Sequence, residues 1–153
     1  MRIALVFLLA LGAAACGQQT AEQPPVVSDA WIRGAPPTAT VLAGYLRLAA
    51  GNQPLQLTSA RCEGFGATEI HRTVMQDGVA GMRAVERLEV GSGDTVEFAP
   101  GGYHLMLMRP VAVPEADASV ACALLSDDGT EIPFVAVVRG AAAEDSEGHE
   151  HHH

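Results

Sequence analysis

Two histidine–methionine pairs carry most of the chemistry in this chain: His71 with Met82, and His104 with Met106. Along the sequence they read His-x10-Met-x21-His-x-Met. Of six histidines, these are the two in the body of the chain, and the other four sit at its C-terminal end. Imidazole plus thioether is an unusual donor set. Thioether sulfur is soft, neutral and polarizable, so it prefers Cu(I) to Zn(II) or to hard cations. The residue types point to a copper site.

The spacing makes the two pairs geometrically compatible. Asp77-Gly78 is a strong signal for a two-residue hairpin loop. With Gln76 then facing Val79, His71 pairs with Ala84 and Thr73 with Met82. A four-residue loop with Met75 facing Ala80 keeps the same register. His71 and Met82 become diagonal neighbours, with Cα atoms about 7–8 Å apart. In a strand, His104 and Met106 point to one face, and Leu105 and Leu107 point to the other, into the core. Pro100-Gly101-Gly102 reads as a turn, so His104 is expected near a strand end, open to solvent and to a partner. Met75 and Met108 fall on the same local face as possible accessory donors or shields; for each, core filling is the competing reading.

The elements that must hold these residues read as strands. Val, Leu, Ala and Thr runs are cut by Gly and Pro. Strand candidates are Thr40–Ala49, Leu55–Arg61, Thr68–Val74, Met82–Val90, Thr95–Phe98, Tyr103–Met108, Ser119–Leu125 and Ile132–Arg139. Gly51-Asn52, Asp77-Gly78, Gly91-Ser92-Gly93, Pro100-Gly101-Gly102 and Asp128-Gly129 are the breaks between them. About eight short strands at this spacing predict an all-β sandwich or barrel, a single domain over residues 26–140.

Composition excludes several function classes. The formal charge is −9, the chain lacks lysine, and the nine arginines are scattered. There is no basic stripe, so no nucleic-acid partner is expected. There is no nucleophile elbow, no HExxH and no carboxylate pair tied to a histidine, so the chain is not read as an enzyme. An electron-transfer blue-copper site would need a cysteine thiolate beside its histidines. Neither Cys62 nor Cys122 has that spacing.

The ends read differently from the middle. Met1-Arg2, an apolar run from Ile3 to Leu11 and Gly12-Ala13-Ala14-Ala15 form an export signal over residues 1–15, too short to span a bilayer. Cys16 follows, and the stretch resembles a bacterial lipoprotein signal, in which that cysteine is lipidated and anchors the protein to a membrane. Ala13 departs from the leucine favoured in such signals, and ordinary cleavage after Ala15 is the competing outcome. Residues 16–25 read as the anchor cysteine and a flexible tether. Export implies an oxidising compartment, leaving Cys62 and Cys122 either as a disulfide or as two separately buried thiols. Residues 141–153 form an acidic tail expected to be disordered. Its His149, His151, His152 and His153 form an imidazole cluster suited to Cu(II); the stub of a purification tag is the alternative.

The segments Glu69–Val79, Met82-Arg83 and Pro100–Met108, with Asp29–Arg33, Pro36-Pro37 and Gly44-Tyr45, resemble the periplasmic PCu(A)C family of copper chaperones. The similarity runs from about Val26 to Arg139. The resemblance implies a cupredoxin-like β-sandwich that binds Cu(I) through two histidines and two methionines, here His71, Met82, His104 and Met106. It implies a periplasmic, anchored carrier delivering copper to the CuA centre of cytochrome c oxidase, with an oxidase subunit or a thiol-bearing copper chaperone as partner. General copper storage or resistance is the alternative, and a metal-free structural sandwich a further one. The family often carries a methionine directly after the first histidine; Arg72 stands there in this chain.

Overall fold

The computed structural model describes residues 22–140. The expected export signal, Cys16 and the His-rich tail lie outside them. Ten strands follow one another: β1 (Val26–Arg33), β2 (Val41–Ala49), β3 (Leu55–Cys62), β4 (Phe65–Gln76), β5 (Val79–Ala84), β6 (Leu88–Val90), β7 (Thr95–Phe98), β8 (Tyr103–Pro110), β9 (Ser119–Ser126) and β10 (Glu131–Arg139). The hydrogen-bonded order is β5-β4-β8-β7-β2-β1-β10-β9-β3-β6, and further pairings of β4 with β3 and β8 with β2 curl the sheet back on itself. The result is an all-β, cupredoxin-like sandwich.

Alternation builds the core. On β2, Leu42, Leu46 and Leu48 are buried while Arg47 and Ala49 are exposed; on β8, Leu105 and Leu107 point inward. Leu48, Leu57, Leu107 and Leu124 are fully enclosed, each contributing about 1.5–3 kcal/mol by burial.

Ten strands replace the expected eight for two reasons. β1 hides its period behind a bulge: the register to β2 shifts between Ser28 and Trp31, and Asp29 has φ 52°. The expected strand Met82–Val90 is two elements. β5 pairs with β4, whereas Leu88 and Val90 are drawn into the core and pair with Leu57 and Leu55 on β3. Gln23, inside the expected tether, exchanges hydrogen bonds with Asn52 through its backbone N–H and C=O.

Cys62 and Cys122 are direct partners across β3 and β9 and are joined by a disulfide spanning 60 residues of sequence. Closing a loop of that length removes about 4 kcal/mol of unfolded-state entropy in the chain-entropy model. The double variant Cys62→Ala/Cys122→Ala should lose about that much stability in urea titration. An unchanged midpoint would show that the bond contributes nothing.

Candidate metal centre

Two turns set the positions of the candidate donors. Asp77 and Gly78 both have positive φ, 52° and 79°, as a two-residue type I′ loop requires. The hairpin register follows: His71 faces Ala84, Thr73 faces Met82 and Gln76 faces Val79. The second turn is Ala99-Pro100-Gly101-Gly102. The Gly102 N–H donates to Ala99 C=O at 2.9 Å, and Gly101 has φ 78°. Proline followed by a positive-φ glycine is the pattern of a type II turn. It launches β8 with His104 as its second residue.

A long-range pairing joins the two segments. β4 and β8 run antiparallel, with His71 directly opposite His104 and Glu69 opposite Met106. Partners across a ladder share a face, so three adjacent strands present Met82 on β5, Glu69, His71 and Thr73 on β4, and His104 and Met106 on β8. The two imidazole rings lie 6.0 Å apart, centroid to centroid, inclined at 47°.

The hydrogen bonds of the rings are asymmetric in a useful way. His71 Nε2 lies 3.0 Å from Glu69 Oε2, and His104 Nδ1 lies 3.2 Å from the Gly102 carbonyl oxygen. A carbonyl or carboxylate oxygen can only accept, so each of these nitrogens carries the proton. The lone pairs are left on His71 Nδ1 and His104 Nε2. Both atoms are buried and have no hydrogen-bond partner among the described residues. Ligating histidines typically have this arrangement, with one ring nitrogen held by an oxygen and the other bare. Gly102 C=O also accepts from Thr73 N–H at 3.0 Å, which ties the turn before β8 to β4.

Met82, His104 and Met106 line one cavity of about 380 Å³, walled also by Arg33, Tyr45 and Pro100. His71 stands beside it through its pairing with His104. The donors differ in depth. His104 is 4% exposed, contrary to the open position expected at a strand end, because β8 is flanked by β4 and β2. Met82 is 66% exposed on the edge strand β5. Met75 and Met108 are outside the cavity lining. Met75 is two residues beyond Thr73 along the hairpin and 68% exposed. Met108 is paired with Val41 and Ala67, about 7 Å along the strand from Met106. Arg72 alternates away from His71, and its guanidinium lies 5.3 Å from the Tyr103 ring centroid.

Among the described residues, no three His, Cys, Asp or Glu side chains cluster as a metal site. The further candidate donors on this face are the thioethers of Met82 and Met106. Sequence reasoning missed Glu69, Gly102, Arg33 and Tyr45. Glu69 had a signal, since it lies two residues before His71 and so shares its face. Arg33 and Tyr45 come from β1 and β2; both lie in segments that carry the family resemblance, though no local pattern gave them a place at the site.

Known proteins share this architecture. The apo PCuAC domain of PmoF1 superposes with TM-score 0.63 at 18% identity, over 78% of this chain and 96% of that one. The copper-bound PCuAC domain of PmoF2 gives TM-score 0.63 at 16% identity, with the same coverages. DR1885 from Deinococcus radiodurans, solved in solution with Cu(I), gives TM-score 0.61 at 26% identity, over 83% and 85%. In sequence, Lxx21020 of Leifsonia xyli subsp. xyli, a candidate lipoprotein by its name, is 29% identical over 114 residues, 74% of this chain and 68% of that protein. The profile of the LpqE-like lipoprotein family matches residues 26–138, and with a PCu(A)C-type fold over that span the chain belongs to the LpqE-like family.

Proposed function

We propose that this protein is a copper carrier that binds Cu(I) through His71 Nδ1, His104 Nε2, Met82 and Met106. The single observation behind the reading is the pair of bare, buried imidazole nitrogens on neighbouring rings beside two thioethers on the same sheet face. Leaving a buried polar atom without a partner costs about 1–3 kcal/mol. A metal ion supplies the missing partner for both. The similarity to DR1885, solved with Cu(I), and to the copper-bound PmoF2 domain supports copper as the cargo.

Neutral donors suit a carrier. Two imidazoles and two thioethers leave the bound ion with its full formal charge. Thiolates are stronger soft donors, so ligand exchange to a thiolate-bearing acceptor runs downhill. The acceptor is a cuproenzyme site such as the CuA centre of cytochrome c oxidase, reached directly or through a thiol-bearing chaperone. The protein binds and hands over metal rather than catalysing a reaction. The lipoprotein descriptions of its family and relative support export and membrane anchoring; we take Cys16 as the anchor and the periplasm as the compartment of exchange.

Replacing Met82 or Met106 by alanine should weaken Cu(I) by more than the roughly 10–100-fold expected for an outer partner, and weaken Zn(II) far less. Copper X-ray absorption on the loaded protein should count two sulfur neighbours. Equal losses for both metals, or a sulfur-free spectrum, would sink the proposal.

Glu69→Ala should lower Cu(I) affinity about 10–100-fold. In the apo protein it should also release His71 from its single Nε2–H tautomer, which nitrogen NMR reads directly. An unaltered tautomer in this variant would mean that Glu69 does not orient the ring.

We further propose that His149, His151, His152 and His153 bind Cu(II) separately. Deleting residues 141–153 should abolish Cu(II) uptake and leave Cu(I) uptake intact. Unchanged Cu(II) stoichiometry would dismiss a role for the tail.

A further inference from the structure

The sheet ends in two edges, β5 and β6. β6 is three residues long, and its Leu88 and Val90 are buried. β5 is built differently. All six of its residues, Val79–Ala84, are exposed, and it carries no proline, no bulge and a single charge, Arg83. Soluble proteins usually blunt an edge by short length, charge, proline or a bulge, because an open row of backbone N–H and C=O groups invites another strand. The open row here can be assigned. In a two-residue hairpin the residues flanking the loop bond to each other, so Val79, Gly81 and Arg83 bond inward to β4. Val85, the next position in that series, donates to the Ile70 carbonyl oxygen at 2.8 Å, as the alternation requires. Ala80, Met82 and Ala84 therefore turn their N–H and C=O groups away from β4. The same hairpin concentrates apolar surface. Met75, Val79 and Met82 are three of the eight large apolar side chains exposed among the described residues, a clustering that marks an interaction surface.

We propose that a second copy of this chain pairs with β5, antiparallel and edge to edge, in a two-fold symmetric dimer. Partners across a ladder share a face, so the symmetry axis must pass through a residue that faces its own copy. Charge selects Gly81. With Gly81 on the axis, Met82 faces Ala80 of the partner subunit. Arg83 then faces the partner's Val79 and lies diagonal to the partner's Asp77. Opposite charges meet twice and like charges nowhere. With Met82 on the axis, Arg83 would lie diagonal to the partner's Arg83. With Ala80 on the axis, the ladder would shrink to Val79–Gly81. This self-complementarity assigns the edge to a second copy rather than to an unrelated strand. The pairing also closes on itself, because each β5 has one open side and β6 is too short to extend the assembly. On the metal face one row would run Thr73, Met82, the partner's Ala80 and the partner's Met75. That sets the partner's Met75 about 9.5 Å from Met82, Cα to Cα. Both faces of the arm stay open, and the dimer requires no metal.

Sedimentation equilibrium on the full chain should show a concentration-dependent dimer, with or without copper. Ala80→Pro removes an outward N–H and spares the bonds to β4, so it should abolish the dimer and leave thermal unfolding of the monomer unchanged. Arg83→Glu sets a like charge beside the partner's Asp77 and should weaken the dimer about tenfold, since the contact occurs twice. Gly81→Cys should cross-link to its own copy under mild oxidation. A Cβ at Gly81 meets no heavy atom within 4 Å, and partners that do not bond each other sit about 4.5 Å apart, Cα to Cα, within disulfide range. Peptide mapping should place the new bond between the two residues 81. A monomer at every concentration overturns the proposal. So does a dimer that survives both Ala80→Pro and Arg83→Glu, or one in which Gly81→Cys does not cross-link. Protection of the β5 amides from hydrogen exchange only when a different polypeptide is added would give the edge to that partner, and the proposal would fall.

Discussion

The site depends on one pairing, the antiparallel contact of β4 with β8 that sets His71 opposite His104. A slip of one residue would turn one ring to the other face of the sheet. The flanking core residues resist such a slip. Ile70 lies opposite Leu105, and Thr68 opposite Leu107, with all four buried on the inner face. A one-residue shift of β8 would drive Leu105 and Leu107 outward and the His104 imidazole into the hydrocarbon interior. The apolar alternation that stabilises the fold is therefore also what aims the donors.

The same pairing creates an apparent defect. Two imidazole nitrogens are buried without partners among the described residues, where folded proteins usually satisfy such groups. Local rules tend to be broken at functional sites, with the cost carried by the surroundings. Here the surroundings are the Gly102 carbonyl, which holds both His104 and Thr73, and the Glu69 carboxylate on His71. These contacts fix which nitrogen is bare. On the carrier reading little reorganisation would be needed on binding, which is the advantage of a supported ligand shell.

How much of this was legible in the sequence depended on whether the contact was local. The β4–β5 register could be read from Asp77-Gly78 alone, because a two-residue loop leaves a single way to pair its flanks. The inward Leu105 and Leu107 could be read from alternation. The meeting of β4 with β8 could not, since no short turn links them and strand order is settled by how the whole sheet packs. β1 was missed because its bulge at Asp29 interrupts the period, and the Met82–Val90 run concealed a change of partner from β4 to β3. The burial of His104 was misjudged for a related reason. Nearness to a turn signals exposure only for an edge strand, and β8 is an inner one. Arg33 and Tyr45 reach the cavity from β1 and β2, a convergence that local patterns do not encode.

The gradient in depth across the donors bears on how metal would leave. His104 is enclosed, the His71 side chain is 13% exposed, and Met82 is two-thirds exposed on an edge strand whose six residues are all exposed. A hairpin arm with few buried contacts opens at lower free energy than the core beneath it. On the carrier reading, the thioether of Met82 is the bond that breaks at least cost, and the imidazoles hold the ion while it does. An acceptor would then reach the ion from the side of the exposed β5 arm. Exchange can proceed one bond at a time, without copper leaving as a free ion.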